Sequence, residues 1–143
     1  MASKYVLGFM LGLALTSLTS GAYAGSDLDD AIKAGAKRLM ADEIAERLTG
    51  KTVTFVSAKT GDKFLVFYGE ANDAASKKVG GEGTNVGFYA VTDRDQVCLG
   101  WEGRDLPKLR CMDVVEIDGV LHKYKADGSL SGRIIEFADG NQV

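Results

Sequence analysis

The fold is decided by Leu109–Phe137, which reads LRCMDVVEIDGVLHKYKADGSLSGRIIEF. Its apolar residues recur with a period near two, and Asp118-Gly119 and Asp127-Gly128 interrupt the pattern. Asp-Gly is a dipeptide that tight hairpins favour, because both of its residues tolerate positive φ. The stretch therefore reads as three antiparallel strands, 109–117, 120–126 and 129–137. Toward the N terminus the same period runs through 51–57 (KTVTFVS), 63–69 (KFLVFYG), 84–92 (TNVGFYAVT) and 96–101 (QVCLGW). Thr60-Gly61-Asp62 and Asp93-Arg94-Asp95 supply further turns. Consecutive short strands with tight links predict a mainly β (α+β) fold, an antiparallel seven-stranded meander forming a small lipocalin-like barrel or half-barrel. Residues 70–83, with Lys77, Lys78 and Gly80-Gly81-Glu82-Gly83, read as a mobile loop at the barrel mouth. The glycines there are no phosphate cradle, since neither a G-K-[ST] ending nor a helix follows them.

One or two helices precede the meander, within a helical segment spanning 25–50. Leu28, Ile32, Ala36 and Leu39 fall on one helical face, and Ser26 or Asp27 can cap the first turn. Gly35 and Met40-Ala41-Asp42 divide the run, after which Asp42 is a candidate cap, Ile44 and Leu48 are apolar, and Gly50 ends the helix. Residues 1–24 have the layout of a secretory signal: Lys4, the apolar Tyr5–Leu15, and Ala22-Tyr23-Ala24 as a small-x-small cleavage site. The apolar part is well short of the roughly 20 residues that span a bilayer. Cleavage after Ala24 leaves Gly25–Val143 as a periplasmic or secreted protein with no stable membrane insertion. Residues 51–143 then form the barrel-like domain.

Export gives the two cysteines a meaning. Cys98 and Cys111 make an even pair in an oxidising compartment and are expected to form a disulfide. They lack the C-x-x-C spacing of a redox pair.

The 143 residues carry a net charge of −3 with 26% charged side chains, enough for one domain and wrong in sign for nucleic-acid binding. His122 is the one histidine, and no Ser stands in a G-x-S-x-G elbow. With the thiols bonded, three or four zinc ligands are not at hand. Asp93-Arg94-Asp95 and Asp139-Gly140-Asn141 lack the alternating oxygens of a calcium loop. The expectation is a non-enzymatic protein without metal or cofactor.

Strand register turns this outline into a site. Bonded cysteines share a side of neighbouring strands, so Val97, Leu99 and Trp101 lie opposite the disulfide, together with Met112 and Val114. A plain two-residue turn at Asp118-Gly119 would set Val114 opposite Lys123 and Met112 opposite Lys125, placing two lysines inside. A three-residue turn with Gly119 left-handed slips the pairing by one and exchanges the faces. That register is preferred because it gives an apolar interior: Val97, Leu99, Trp101, Met112, Val114, Val120, His122, Tyr124, Leu130 and Ile134. The same turn at Gly128 brings Gly132 inward and sends Arg133 out. Trp101, His122, Tyr124 and Gly132 then form a candidate ligand pocket, a polar ring beside a side-chain-free gap and two amphipathic aromatics. Alternatively, His122 hydrogen-bonds Tyr124 or a backbone carbonyl in a filled core.

The pattern Leu48-x-Gly50-Lys51-Thr52-Val53, Tyr68, Gly87-Phe88-Tyr89-x-Val91, Cys98-x-x-Trp101 and Arg110-Cys111 resembles a family of small exported bacterial proteins of unknown function. The likeness covers roughly residues 42–141 and implies no catalytic residues. In size, export, disulfide and β-meander the chain is also similar to periplasmic lysozyme inhibitors of the MliC/PliC type, whose Ser-Gly-x-x-Tyr loop is replaced here by Gly83-Thr84-Asn85-Val86-Gly87-Phe88-Tyr89. The leading expectation is a binding protein for a small apolar or amphipathic molecule. The alternative is a protein–protein inhibitor or envelope-stress factor with an envelope protein as partner, its 70–83 loop entering the target's cleft and its acidic charge steering it to a basic one.

Overall fold

The computed structural model describes residues 27–143. The secretory signal, its cleavage site and the Ser26 cap lie outside the described residues. Asp27 is the cap of the first helix, α1 (Leu28–Lys33), its carboxylate accepting the Asp30 N–H at 3.0 Å. A two-residue strand, β1 (Lys37–Arg38), separates α1 from α2 (Ala41–Leu48). Met40, not Asp42, precedes the first turn of α2, and the Glu43 carboxylate accepts the Met40 N–H at 2.9 Å. Gly50 takes φ +76 just beyond the helix and directs the chain into the sheet.

The strands that follow are β2 (Lys51–Ser57), β3 (Lys63–Tyr68), β4 (Asp73–Lys78), β5 (Asn85–Thr92), β6 (Gln96–Trp101), β7 (Arg110–Ile117), β8 (Val120–Tyr124) and β9 (Leu130–Asp139). Each pairs antiparallel with the next, and β9 returns to β2, so eight strands close into a barrel. Closure removes the exposed edges that an open meander would leave. At eight strands the interior is just wide enough to be filled by side chains.

Residues 70–83 are not a long loop, because β4 occupies their centre. Asp-Ala-Ala-Ser-Lys-Lys contains no β-branched or aromatic residue, so β-propensity is silent there. Its place is set by its neighbours: Phe67 pairs with Ala75, and Ala75 with Val86. The small Ala74 and Ser76 are buried on its inner face. β1 completes the wall elsewhere. β6 pairs with β7 only as far as Gln96–Asp113, and β1 takes up the same edge at Val115 and Glu116.

Two apolar cores result. Inside the barrel, Val53, Val66, Tyr68, Tyr89, Val97, Leu99, Trp101, Val114, Leu121 and Ile134 pack against Leu39, Ile44 and Leu48. The last two belong to α2, which therefore plugs the barrel mouth. Outside, α1 lies over β7 and β8, where Ala31 packs with Val115, Ile117 and Tyr124.

Cys98 stands directly opposite Cys111 and the two form a disulfide. Closing a loop of this size contributes about 3 kcal/mol. The bridge is on the outer side of the sheet, where Leu106 and Leu109 fold back onto the neighbouring Gly100. Among the described residues no helix is long and apolar enough to cross a membrane.

Candidate functional site

The interior differs from the expected one along β8, and the cause is a single turn. Asp118 takes φ +50 and Gly119 φ +79, both left-handed, as a two-residue type I′ turn requires. Ile117 pairs with Val120 and Val114 with Lys123. Of the two Asp-Gly pairs where a bulged turn was expected, only the second has one. Lys125 and Ser129 are bridged across Ala126-Asp127-Gly128, with Gly128 at φ +85. A second irregularity follows, so that Tyr124 pairs with Leu130 and Lys123 with Gly132, leaving Ser131 bulged.

The consequences correct the sequence reading residue by residue. Val97, Leu99, Trp101, Val114 and Ile134 are inside as expected. Val120, His122 and Tyr124 face outward, and so does Leu130. Tyr124 is buried, but under α1. His122 is half-buried, pairs with Val115 and Arg133, and its Nδ1 lies 3.0 Å from the Val120 carbonyl oxygen. The wall of the barrel thus separates His122 and Tyr124 from Trp101. Gly132 does face inward, yet the space beside it is filled. A Cβ there would fall 2.4 Å from the Phe55 ring and 2.2 Å from the Val56 carbonyl oxygen.

In place of the histidine the register brings in Lys123, with only 3% of its surface exposed. Burying an ammonium without a counter-charge is costly. Its Nζ donates to the Tyr68 hydroxyl at 2.9 Å and lies 5.4 Å from the Phe55 ring centroid and 5.6 Å from that of Tyr68. Cation–π attraction from the Phe55 ring offsets part of the lost hydration. Among the described residues no carboxylate pairs with Lys123. The feared second lysine never enters: β8 ends at Tyr124, and Lys125 is exposed in the turn.

Tyr68 links this cation to the plug. Its ring meets Tyr89 edge-on at 5.0 Å, and the Tyr89 hydroxyl donates to the Gly69 carbonyl at 2.7 Å with Thr49 Oγ1 at 3.3 Å. Gly50 N–H donates to the Tyr68 carbonyl at 2.7 Å. The C-terminal end of α2 is therefore tied to the residues that hold Lys123.

The other ties of α2 are at the surface. Arg47 bonds Glu116 at 3.1 Å and lies 5.4 Å from the Phe137 ring centroid, and Ala41 N–H donates to Asp95 at 2.8 Å. Lys37 and Glu43 form an exposed pair that raises the lysine above its ordinary value and lowers the carboxyl below its own, chiefly through their hydrogen bond. Exposed pairs of this kind contribute little, and a helix this short is unstable alone. The plug is held mainly by burial of Leu39, Ile44 and Leu48. Beside it, a polar cleft of about 260 Å³ opens between Lys37, Leu39, Glu43, Glu46, Arg47 and Glu116.

Lys123 was expected inside only in the register that was set aside, and nothing in the sequence linked it to Tyr68 and Phe55. Leu121 was the available signal: the bulged register would have turned it outward, whereas it is almost wholly buried. The consecutive Val114-Val115, one in each core, was a second sign that both sides of β7 are covered. Comparison with known proteins finds no family model, no curated protein and no solved structure that matches the chain.

Proposed function

We propose that the protein is an exported, non-enzymatic binding module that holds one small amphipathic molecule in the barrel interior, beneath α2. The observation that carries this reading is the pairing of an aromatic-lined interior with one buried ammonium, Lys123, that has no carboxylate partner among the described residues. Such a composition suits a ligand with an apolar body and one polar end. A purely structural core would gain stability from an apolar residue at that position. The disulfide supports the exported half of the reading, since such bonds persist in oxidising compartments.

In the closed form Leu39, Ile44 and Leu48 occupy the mouth. A ligand tail takes their place, so binding is coupled to displacement of α2. The weak surface ties of that helix keep the cost to the burial of a few side chains, about 1.5–3 kcal/mol each.

Trp101 reports on the interior, being buried in the same core. Titration with a panel of single-chain amphipaths is expected to change its emission and raise the thermal midpoint. Unchanged emission and midpoint across the panel, with no small molecule carried by protein recovered from cells, would refute the proposal.

A further inference from the structure

The polar end of the site has a definite chemical sign. An ammonium carries three donor hydrogens, and Lys123 spends one on the Tyr68 hydroxyl oxygen. Lys123 makes no second hydrogen bond among the described residues, its Nζ lies 5.4 Å from the Phe55 ring centroid, and the Tyr68 hydroxyl hydrogen has no acceptor among the described residues. The remaining donor hydrogens of these two side chains, 2.9 Å apart, therefore lie in a buried, aromatic-lined interior. Their complement is a group with two acceptor oxygens and a negative charge.

We infer that the interior site takes an oxyanion head group, of which a carboxylate is the simplest, with Lys123 as its counter-charge and Tyr68 as its second donor. The inference rests on the binding reading above and specifies the ligand class. A neutral head group would satisfy the donors and leave the charge unpaired; a cationic one would add a second buried positive charge. The direction of the ligand follows from the same geometry. Its head lies against Lys123 and Tyr68, and its tail runs toward the mouth, where Ile44 and Leu48 sit in the closed form. Displacement of α2 is felt at Tyr68 directly, through the bond between Gly50 N–H and the Tyr68 carbonyl.

The test uses the full chain and four probes of one chain length: dodecanoate, dodecyl sulfate, dodecanol and dodecylammonium, each below its micellar concentration at neutral pH. Both anions are expected to bind about tenfold or more tightly than the alcohol, as a charge-assisted hydrogen bond in a buried site implies. Dodecylammonium is expected to bind weakest. Lys123→Met should abolish the preference for the anions while leaving the affinity for dodecanol unchanged or improved. Tyr68→Phe, which keeps the ring, should reduce the preference by a smaller factor. Equal affinity for alcohol and anions, or an anion preference that survives in Lys123→Met, overturns the inference and leaves the binding module standing. Failure of all four probes to bind removes the module itself and the inference with it.

Discussion

The hairpins at Asp118-Gly119 and Asp127-Gly128 share a dipeptide and differ in everything that follows from it. In the first, both residues are left-handed and the strands pair without slippage. In the second, only Gly128 is left-handed, the loop takes an extra residue, and a bulge at Ser131 comes after it. The Asp-Gly pair is compatible with both turns, so the choice is made by what each register buries. At the first hairpin the unslipped register places Leu121 inside and Tyr124 under α1, two large side chains covered at once. The slipped register would expose Leu121 and bury His122. Lys123 inside is the cost of that exchange, reduced by Tyr68 and Phe55. A local turn preference is worth about a kilocalorie, whereas burying Leu121 is worth about 1.5–3 kcal/mol.

The comparison can be broken most directly at Leu121. Leu121→Ala is expected to cost about 2–5 kcal/mol in urea unfolding, the range for a leucine truncated in a packed core. A cost below about 0.5 kcal/mol, typical of surface sites, would mean that β8 is slipped.

The two lysines that flank Tyr124 sharpen the point. Lys123→Met should be neutral or stabilising by up to about 4 kcal/mol, because an apolar side chain of similar length replaces a buried charge. Lys125→Met, at an exposed position, should lie within about 0.5 kcal/mol of wild type. A large loss in Lys123→Met would make the ammonium a structural element of the barrel.

The turns themselves come next. Gly119→Ala places a Cβ at φ +79 and should cost about 1–2 kcal/mol by the left-handed penalty. Gly128→Ala, at φ +85, should cost a similar amount. Asp118→Ala should cost less than this, because Asp118 is also left-handed but already carries a Cβ, and it loses only the local hydrogen bonding that lets Asp tolerate that region. Asp127→Ala should carry no such backbone penalty and lose only its bonds to Ser129. Equal effects at the two aspartates would mean that the turns are of one type.

The smallest effect is in the pH dependence of the second hairpin. The Ser129 hydroxyl, followed by the Ser129 N–H, holds the Asp127 carboxyl below its ordinary value. A lowered folded value means that the ionised form is favoured by folding. Its contribution is therefore full above the ordinary carboxylate range and is lost as pH falls through the folded value. The gap in urea midpoint between wild type and Asp127→Asn should be largest near neutrality and close as the solution is acidified toward about pH 3. A gap that widens on acidification would contradict the assigned hydrogen bonds.

Most of the barrel was legible in the chain because period-two patterning and Gly-containing turns are local signals. β2 and β6 have the very limits that the patterning predicts, 51–57 and 96–101. The disulfide was legible for a similar reason, since two cysteines on adjacent predicted strands have few other partners. β4 was not, because Asp73–Lys78 is a strand only by virtue of lying between β3 and β5. Of the four residues expected to share the interior, Trp101 and Gly132 face inward, while His122 and Tyr124 face outward and Lys123 takes the inward place on β8.

By itself, then, the sequence determined a β meander curled into a barrel or half-barrel, its paired cysteines, an N-terminal helical segment and most of the places where the chain turns. Each of these is encoded within a few residues of where it acts. Only the tertiary structure decided which side of β8 looks into the barrel. That choice balances a turn against two separate cores, one of them under α1, and no stretch of β8 contains the information about what covers its outer face. A shift of one residue exchanges an imidazole for an ammonium, and with it the chemistry of the interior.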